Sequence, residues 1–310
     1  PPPIVIRVIG LIANTAFSYT LIFGKLGCPA LGVVGAGVGA SMAQCLMFSL
    51  LLGFVLLDRR FREFHVLGRF WRADWHRFVE VLRLGAPIGF AMLFEVALFA
   101  GSAFILGLIG TLELAAHQIA LQIASATFMI PLGIAQAAGI RVALAAGAAD
   151  RWGGQRTGLT SLALAVGFMA MMAVLIWIAP QFLVSPFLPE AETGDNAKVM
   201  ALACSYLAFA AAFQIFDAAQ VVGANLLRGL KDARVPMVFA AIGYWAIGLP
   251  VGVLLAFTFG LRGEGVWLGF VVALIVAAAL MLGRFALRER VPSLRAALDS
   301  RTGSKPSARR

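Results

Sequence analysis

The sequence predicts an all-α polytopic membrane protein. Mean hydropathy is +0.91, with 61% hydrophobic and only 13% charged residues, where a soluble domain carries about 25% charge. Apolar runs long enough to cross a bilayer core of roughly 30 Å recur along the chain. The basic residues collect in every second segment between those runs. The net charge of +10 is therefore topological and does not signal nucleic acid.

In chain order, the first apolar run is 4–23, with Arg7 near its start and Asn14 as the one strongly polar residue deeper in. A short turn, GKLGCPALG, leads to a second run at about 31–57, rich early on in Gly32, Gly35, Gly37 and Gly39. Small residues of this kind let helices approach closely in lipid. Segment 58–84 changes character. Phe61, Phe64, Leu67, Trp71, Trp75, Phe78 and Leu82 recur every three or four residues among arginines. That spacing predicts an interfacial amphipathic linker, a solvated linker being the alternative. Six more runs follow at 85–109, 112–142, 157–184, 198–223, 235–259 and 264–285, giving eight transmembrane helices. The tail, 286–310, is basic and polar, and from Arg288 it reads as disordered.

Segments 58–84, 141–156, 224–234 and 284–310 hold seven, three, three and eight Lys/Arg; the alternate segments hold only Lys25, Lys198 and Arg262. The positive-inside rule makes the basic side, including the C-terminus, cytoplasmic. The chain starts at Pro1 without Met, and hairpin GKLGCPALGVVG (24–35) echoes FGLRGEGVWLG (259–269). The second copy joins the last two helices of a six-helix block, 85–285, so 1–57 is expected to be the end of a similar block. About four helices are then expected upstream, in a transporter of repeated halves.

Two carboxylates sit deep in apolar runs: Glu95 in GAPIGFAMLFEVALFAGSAFILGLI and Asp217 in AFAAAFQIFDAAQVVGANLL. An acid at a helix centre costs roughly 2.5 kcal/mol or more, so a merely spanning sequence would use Leu there. Glu95 lies about 16 Å in from Leu84 and Asp217 about 14 Å from Leu226, depths that allow one shared cavity. Paired acids in a low-dielectric site hold a proton or a small hard cation such as Na⁺. The alternative is that each hydrogen-bonds a neighbouring helix and does nothing more. Gln118 and Gln122 share a helix face and are candidate cavity residues, as is Gln214 beside Asp217; helix–helix hydrogen bonding is the other reading of each. His117 is either a proton relay or an interfacial histidine capped by Glu113. Pro131 and Pro250 each remove a backbone donor within a span, and Arg228 and Asp232 are spaced to pair.

Cys28, Cys45 and Cys204 are too scattered for a disulfide framework or metal site. No HExxH, GxSxG, phosphate-binding glycine loop or histidine cluster is present, so no enzyme is expected.

LGAPIGFAMLFEVALF (84–99), LAAHQIALQIASATFMIPLGIAQAAGIRV (114–142), FQIFDAAQVVGANLLRGLKDARVPM (213–237) and YWAIGLPVG (244–252) resemble the multidrug and toxic compound extrusion (MATE) family, in its NorM-like bacterial branch. The resemblance implies twelve helices in two six-helix lobes around a substrate cavity. Helices five and six would be 1–57, and the second lobe 85–285. It implies a monomeric inner-membrane antiporter exporting organic cations for Na⁺ or H⁺, with no cofactor beyond the coupling ion and membrane lipid as surroundings. Glu95 and Asp217 match the family's cation-coupling acids on helices seven and ten, and would be Na⁺ ligands if the ion is sodium. Phe213 stands where sodium-coupled members often carry Tyr, which removes one hydroxyl ligand. The rivals are a lipid-linked oligosaccharide flippase of the same superfamily, an intramembrane aspartyl protease and a non-transporting fragment. No central basic residue serves the first, and no GxGD motif serves the second.

Overall fold

The computed structural model describes residues 2–25, 29–58, 74–188 and 194–301, with side chains placed within 4–288. Among them are eight helices long and apolar enough to cross a membrane. We number these α1 (Pro2–Phe23), α2 (Gly32–Leu57), α3 (Trp75–Ile109), α4 (Thr111–Gly147), α5 (Arg151–Ile178), α6 (Gly194–Gly229), α7 (Arg234–Thr258) and α8 (Arg262–Arg301). Helices satisfy every interior backbone group within one segment, which hydrocarbon requires. Their outer faces expose large apolar side chains such as Leu11, Val33, Phe104, Leu164 and Phe257, and the chain is a multi-pass membrane protein.

The chain divides into two compact units, Pro1–Phe78 and Val79–Arg310. In the first, α1 and α2 pack as a hairpin. Gly35 and Gly39 of α2 lie against the backbone of Leu21 and Ser18, leaving no room for a Cβ. The second unit holds α3 from Val79 onward and α4–α8, built around α6. That helix packs on α4, α8 and α5 and buries residues along its length from Val199 to Leu227.

Helix boundaries depart from the sequence reading where polar or proline chemistry intervenes. Trp75–Leu84, expected within the linker, forms the exposed start of α3; the rest of that linker, 59–73, and Cys28 lie outside the described residues. The run expected at 157–184 starts earlier, at Arg151, where the Asp150 carboxylate accepts from the Gly153 amide at 2.9 Å, an N-cap. It stops at Ile178 because Pro180 excludes its predecessor from helical geometry, and Pro180–Val184 forms a separate short helix. The tail expected to be disordered from Arg288 instead continues α8 to Arg301. Its Leu, Arg, Ala and Glu residues are good helix formers although too polar to span.

Helix α7 is the irregular one. It is π-helical over Ala241–Gly248 and again over Leu254–Thr258, on either side of the turn containing Pro250. Wider turns of this kind occur as short insertions, frequently at functional sites. Gly243, Gly248 and Gly252 of α7 meet Ala273, Ala277, Val266 and Gly269 of α8 with almost no side chain between the backbones.

Candidate functional site

The described side chains enclose a cavity of about 390 Å³ in the second unit, between α3, α4 and α6. Helix α3 contributes Glu95 with Phe99, one turn on; α6 contributes Phe213 and, one turn further, Asp217. Helix α4 contributes Gln118, Ser125, Phe128 and Met129 among others. The two acids that the apolar runs single out thus share one cavity. Glu95 is half-buried and Asp217 is 7% exposed, and the two lie within electrostatic range of each other. Phe213 is held edge-on against Phe99 and Trp267, with ring centroids 6.2 and 5.9 Å apart, so the aromatic wall beside Asp217 is braced from behind.

The glutamines separate. Gln118 lines the cavity, whereas Gln122 is exposed and absent from its walls. The α4 lining residues fall at offsets of three, six, seven, ten and eleven from Gln118, an arc that leaves offset four beyond its edge. Gln214 is fully buried and turned away from the cavity residues. Its Oε1 accepts from Thr127 Oγ1 at 2.9 Å, tying α6 to α4. It supports the wall without lining it.

Other expectations are corrected by burial and by partners distant in the sequence. His117 is no interfacial residue: it is fully buried, with its ring centroid 5.6 Å from Trp267 and 6.4 Å from Phe270. Glu113 pairs with Arg262 at the start of α8 rather than with His117. Asp232 is 3.4 Å from Arg284 and 3.5 Å from Arg288, both supplied by α8.

Tyr244 near the acids escapes the sequence reading, and Arg228, expected there to pair with Asp232, lies towards the acids while Asp232 pairs with Arg284 and Arg288. Tyr244, buried in the first π-helical stretch, lies within electrostatic range of both Glu95 and Asp217. Arg228, at the end of α6, lies within range of Glu95 and Tyr244. A signal was present for Arg228: it follows Asp217 by eleven residues, three turns on the same face. Among the described residues no group of three or more His, Cys, Asp or Glu is spaced to hold a metal. Two carboxylates with neutral oxygens nearby suit one small hard cation or a proton, and their apolar wall raises the cost of leaving both ionised.

The second unit is thus a six-helix membrane unit with an acid pair in a cavity walled by aromatic rings. The chain belongs to the MatE family, whose model matches residues 87–254. It is 48% identical over 288 residues to "Probable multidrug resistance protein NorM" of Mesorhizobium japonicum, across 93% of this chain and 62% of that protein. A protein of the same name from Brucella suis is 43% identical over 272 residues, across 88% and 58%. The fold resembles the crystal structure of the eukaryotic MATE transporter AtDTX14, with a TM-score of 0.80 at 22% identity, covering 91% of this chain and 61% of that one. The chain thus spans about three fifths of the length of the curated relatives it matches.

Proposed function

We propose that this chain serves a secondary antiporter of the bacterial inner membrane. Its basic loops and C-terminus face the cytoplasm, and bulky organic cations leave the cell in exchange for Na⁺ or H⁺. The observation that carries this reading is the meeting of Glu95 and Asp217 in one cavity walled by Phe99, Phe128, Met129 and Phe213. The names of the relatives as multidrug resistance proteins point the same way.

The physical chemistry is competition for one negative site. Two carboxylates in an apolar cavity keep at most one charge cheaply; a bound proton or Na⁺ removes the excess. A lipophilic cation satisfies the same charge and also stacks its apolar surface on the rings and the adaptable thioether of Met129. Ion and substrate then exclude one another. Each stabilises the access state that binds it better, which couples their movements in opposite directions.

The test uses the native gene product in proteoliposomes, following efflux of a cationic dye under an imposed Na⁺ gradient and then an H⁺ gradient. Efflux driven by one gradient and lowered about tenfold or more in Asp217→Asn is the expected result. Efflux indifferent to the substitution removes Asp217 from the mechanism. No efflux under either gradient overturns the antiporter reading.

A further inference from the structure

A second cavity, of about 350 Å³, opens beside the turn between α6 and α7, within the size range of small-molecule sites. Glu80, Arg83 and Leu84 of α3 form one wall; Lys231 and Asp232 of the turn, with Arg234 at the start of α7, form the other. Among the described residues no carboxylate pairs with Arg83, Lys231 or Arg234. Asp232 is engaged from behind: it is buried and lies 3.4 Å from Arg284 and 3.5 Å from Arg288. Glu80, one turn before Arg83, is exposed and pairs with none of the three. Three cations therefore converge on one cavity whose two acids leave them unpaired.

Topology alone asks for basic residues in these segments. It does not ask that Arg83 of α3 share a cavity with Lys231 and Arg234, about 150 residues on. Lys231 adds a separate sign. Its φ is 59°, a left-handed conformation that glycine adopts without strain and a lysine does not, so the side chain sits there against the preference of the backbone. Helix α3 adds a third. Of the six spanning helices in this unit it has the least backbone contact with the others. Its turns from Val79 to Leu84 are exposed, and further in it meets α4 and α6 through the side chains around Glu95.

Charge and surroundings select the occupant. Guanidinium groups present forked N–H donors that match phosphate oxygens, and an ammonium adds a point charge. From this cavity α3 and α7 both run into apolar sequence. Leu84, Phe90 and Leu93 on α3 and Val238, one turn into α7, are exposed. A basic pocket that opens onto bare apolar helix faces matches a phospholipid, headgroup on the cations and acyl chains along the helices. We propose that the cavity holds the phosphate of an anionic phospholipid, bridged between Arg83 of α3 and Lys231 and Arg234 of the α6–α7 turn. The bound phosphate supplies the tie that α3 lacks in backbone packing. It acts about 18 Å along α3 from Glu95 and fastens the helix that carries Glu95 to the turn that ends the helix carrying Asp217. A zwitterionic headgroup brings an ammonium that the same cations repel, so the site selects by net charge. Inorganic phosphate meets the cations but leaves the apolar border bare. The proposal is independent of the transported substrate and of the coupling ion.

The test titrates the native gene product in detergent with dioleoyl phosphatidylglycerol, or with dioleoyl phosphatidylcholine, which has the same chains and no net charge. Melting is followed by size-exclusion fluorescence. At saturation the first lipid is expected to raise the melting temperature about 5 °C more than the second; equal shifts overturn the proposal. Inorganic phosphate at the same concentration is expected to give no shift; if it reproduces the shift, the lipid assignment falls. Arg83→Gln and Arg234→Gln are each expected to raise the phosphatidylglycerol needed for half the shift about tenfold. Arg156→Gln, which removes the same charge from another exposed basic segment, is expected to leave it unchanged. Equal effects of all three indicate diffuse attraction to the surface and overturn the site, as do two unaffected pocket variants. Lys231→Gly separates binding from folding: glycine relieves the turn at φ 59°, so the lipid-free melting temperature holds or rises while the lipid shift shrinks. An undiminished shift in Lys231→Gly refutes the bridge. Lipid held elsewhere on the protein is common to wild type and variants and cancels from each comparison.

Discussion

Replacing Gly269 by Ala tests whether α7 and α8 are in backbone contact. An added Cβ would lie 2.5 Å from Gly252 Cα, 2.7 Å from Gly252 N and 2.8 Å from the Gly248 carbonyl oxygen. All three are main-chain atoms, so no rotamer change relieves them. Ordinary contact begins near 3.4 Å, so α7 must retreat by about 1 Å. Opening roughly 100 Å² of interface by that distance leaves about 100 Å³ poorly filled, which costs about 2.4 kcal/mol. Overpacking typically costs 1–3 kcal/mol, the same order. Alanine's better helix propensity offsets about 1 kcal/mol, leaving a net loss of about 1–2 kcal/mol. At roughly 2 °C per kcal/mol for a chain of this size, the melting temperature should fall by about 2–4 °C. Gly283→Ala is the internal control, since its Cβ meets nothing within 4 Å on the same helix and should stabilise by up to about 1 kcal/mol. Thermal unfolding of the detergent-solubilised proteins, followed by size-exclusion fluorescence, reads both. Equal shifts, or a Gly269→Ala protein more stable than wild type, would refute the packing argument.

Three further outcomes are expected. Gln118→Ala should weaken dye binding measurably while Gln122→Ala leaves it at wild type, because only the first reaches the cavity; equal effects in equilibrium binding would contradict the geometry. Phe213→Tyr places a hydroxyl on the wall beside Asp217 and should increase the response of efflux to Na⁺ relative to H⁺; paired gradient assays decide it. Asp232→Ala leaves half-exposed Arg284 and Arg288 without their shared acceptor and should destabilise by about 0.2–1 kcal/mol, a loss that shrinks as salt is added and is read as the melting-temperature difference from wild type at low and high salt.

The spans and the acid pair were legible because each is a local anomaly against a strong background. A carboxylate in twenty apolar residues stands out one residue at a time, and its depth follows from counting. What escaped depends on neighbours far away in the chain. His117 and Glu113 are four residues apart on one helix, yet Trp267 and Phe270 bury the first and Arg262 captures the second, all from α8. Spacing placed Gln118 and Gln122 together, but the curvature of the cavity wall admits only one. The π-helical stretches of α7 left no mark in composition, since AIGYWAIG is apolar in either register. The end of α8 was misread for the opposite reason: hydropathy marks where a helix leaves the membrane, not where it unwinds.

Helix α6 differs from α3, α4 and α7 in one respect that bears on mechanics. Pro87 interrupts the hydrogen-bond ladder of α3, Pro131 that of α4 and Pro250 that of α7, whereas the 36 residues of α6 contain no proline. It is about 54 Å long, with Tyr206, Asp217 and Arg228 at intervals of eleven along one face. A rod of this kind transmits torque. A small turn about its own axis swings all three side chains in the same sense at once, near both ends and at mid-membrane, while the jointed helices around it absorb the displacement.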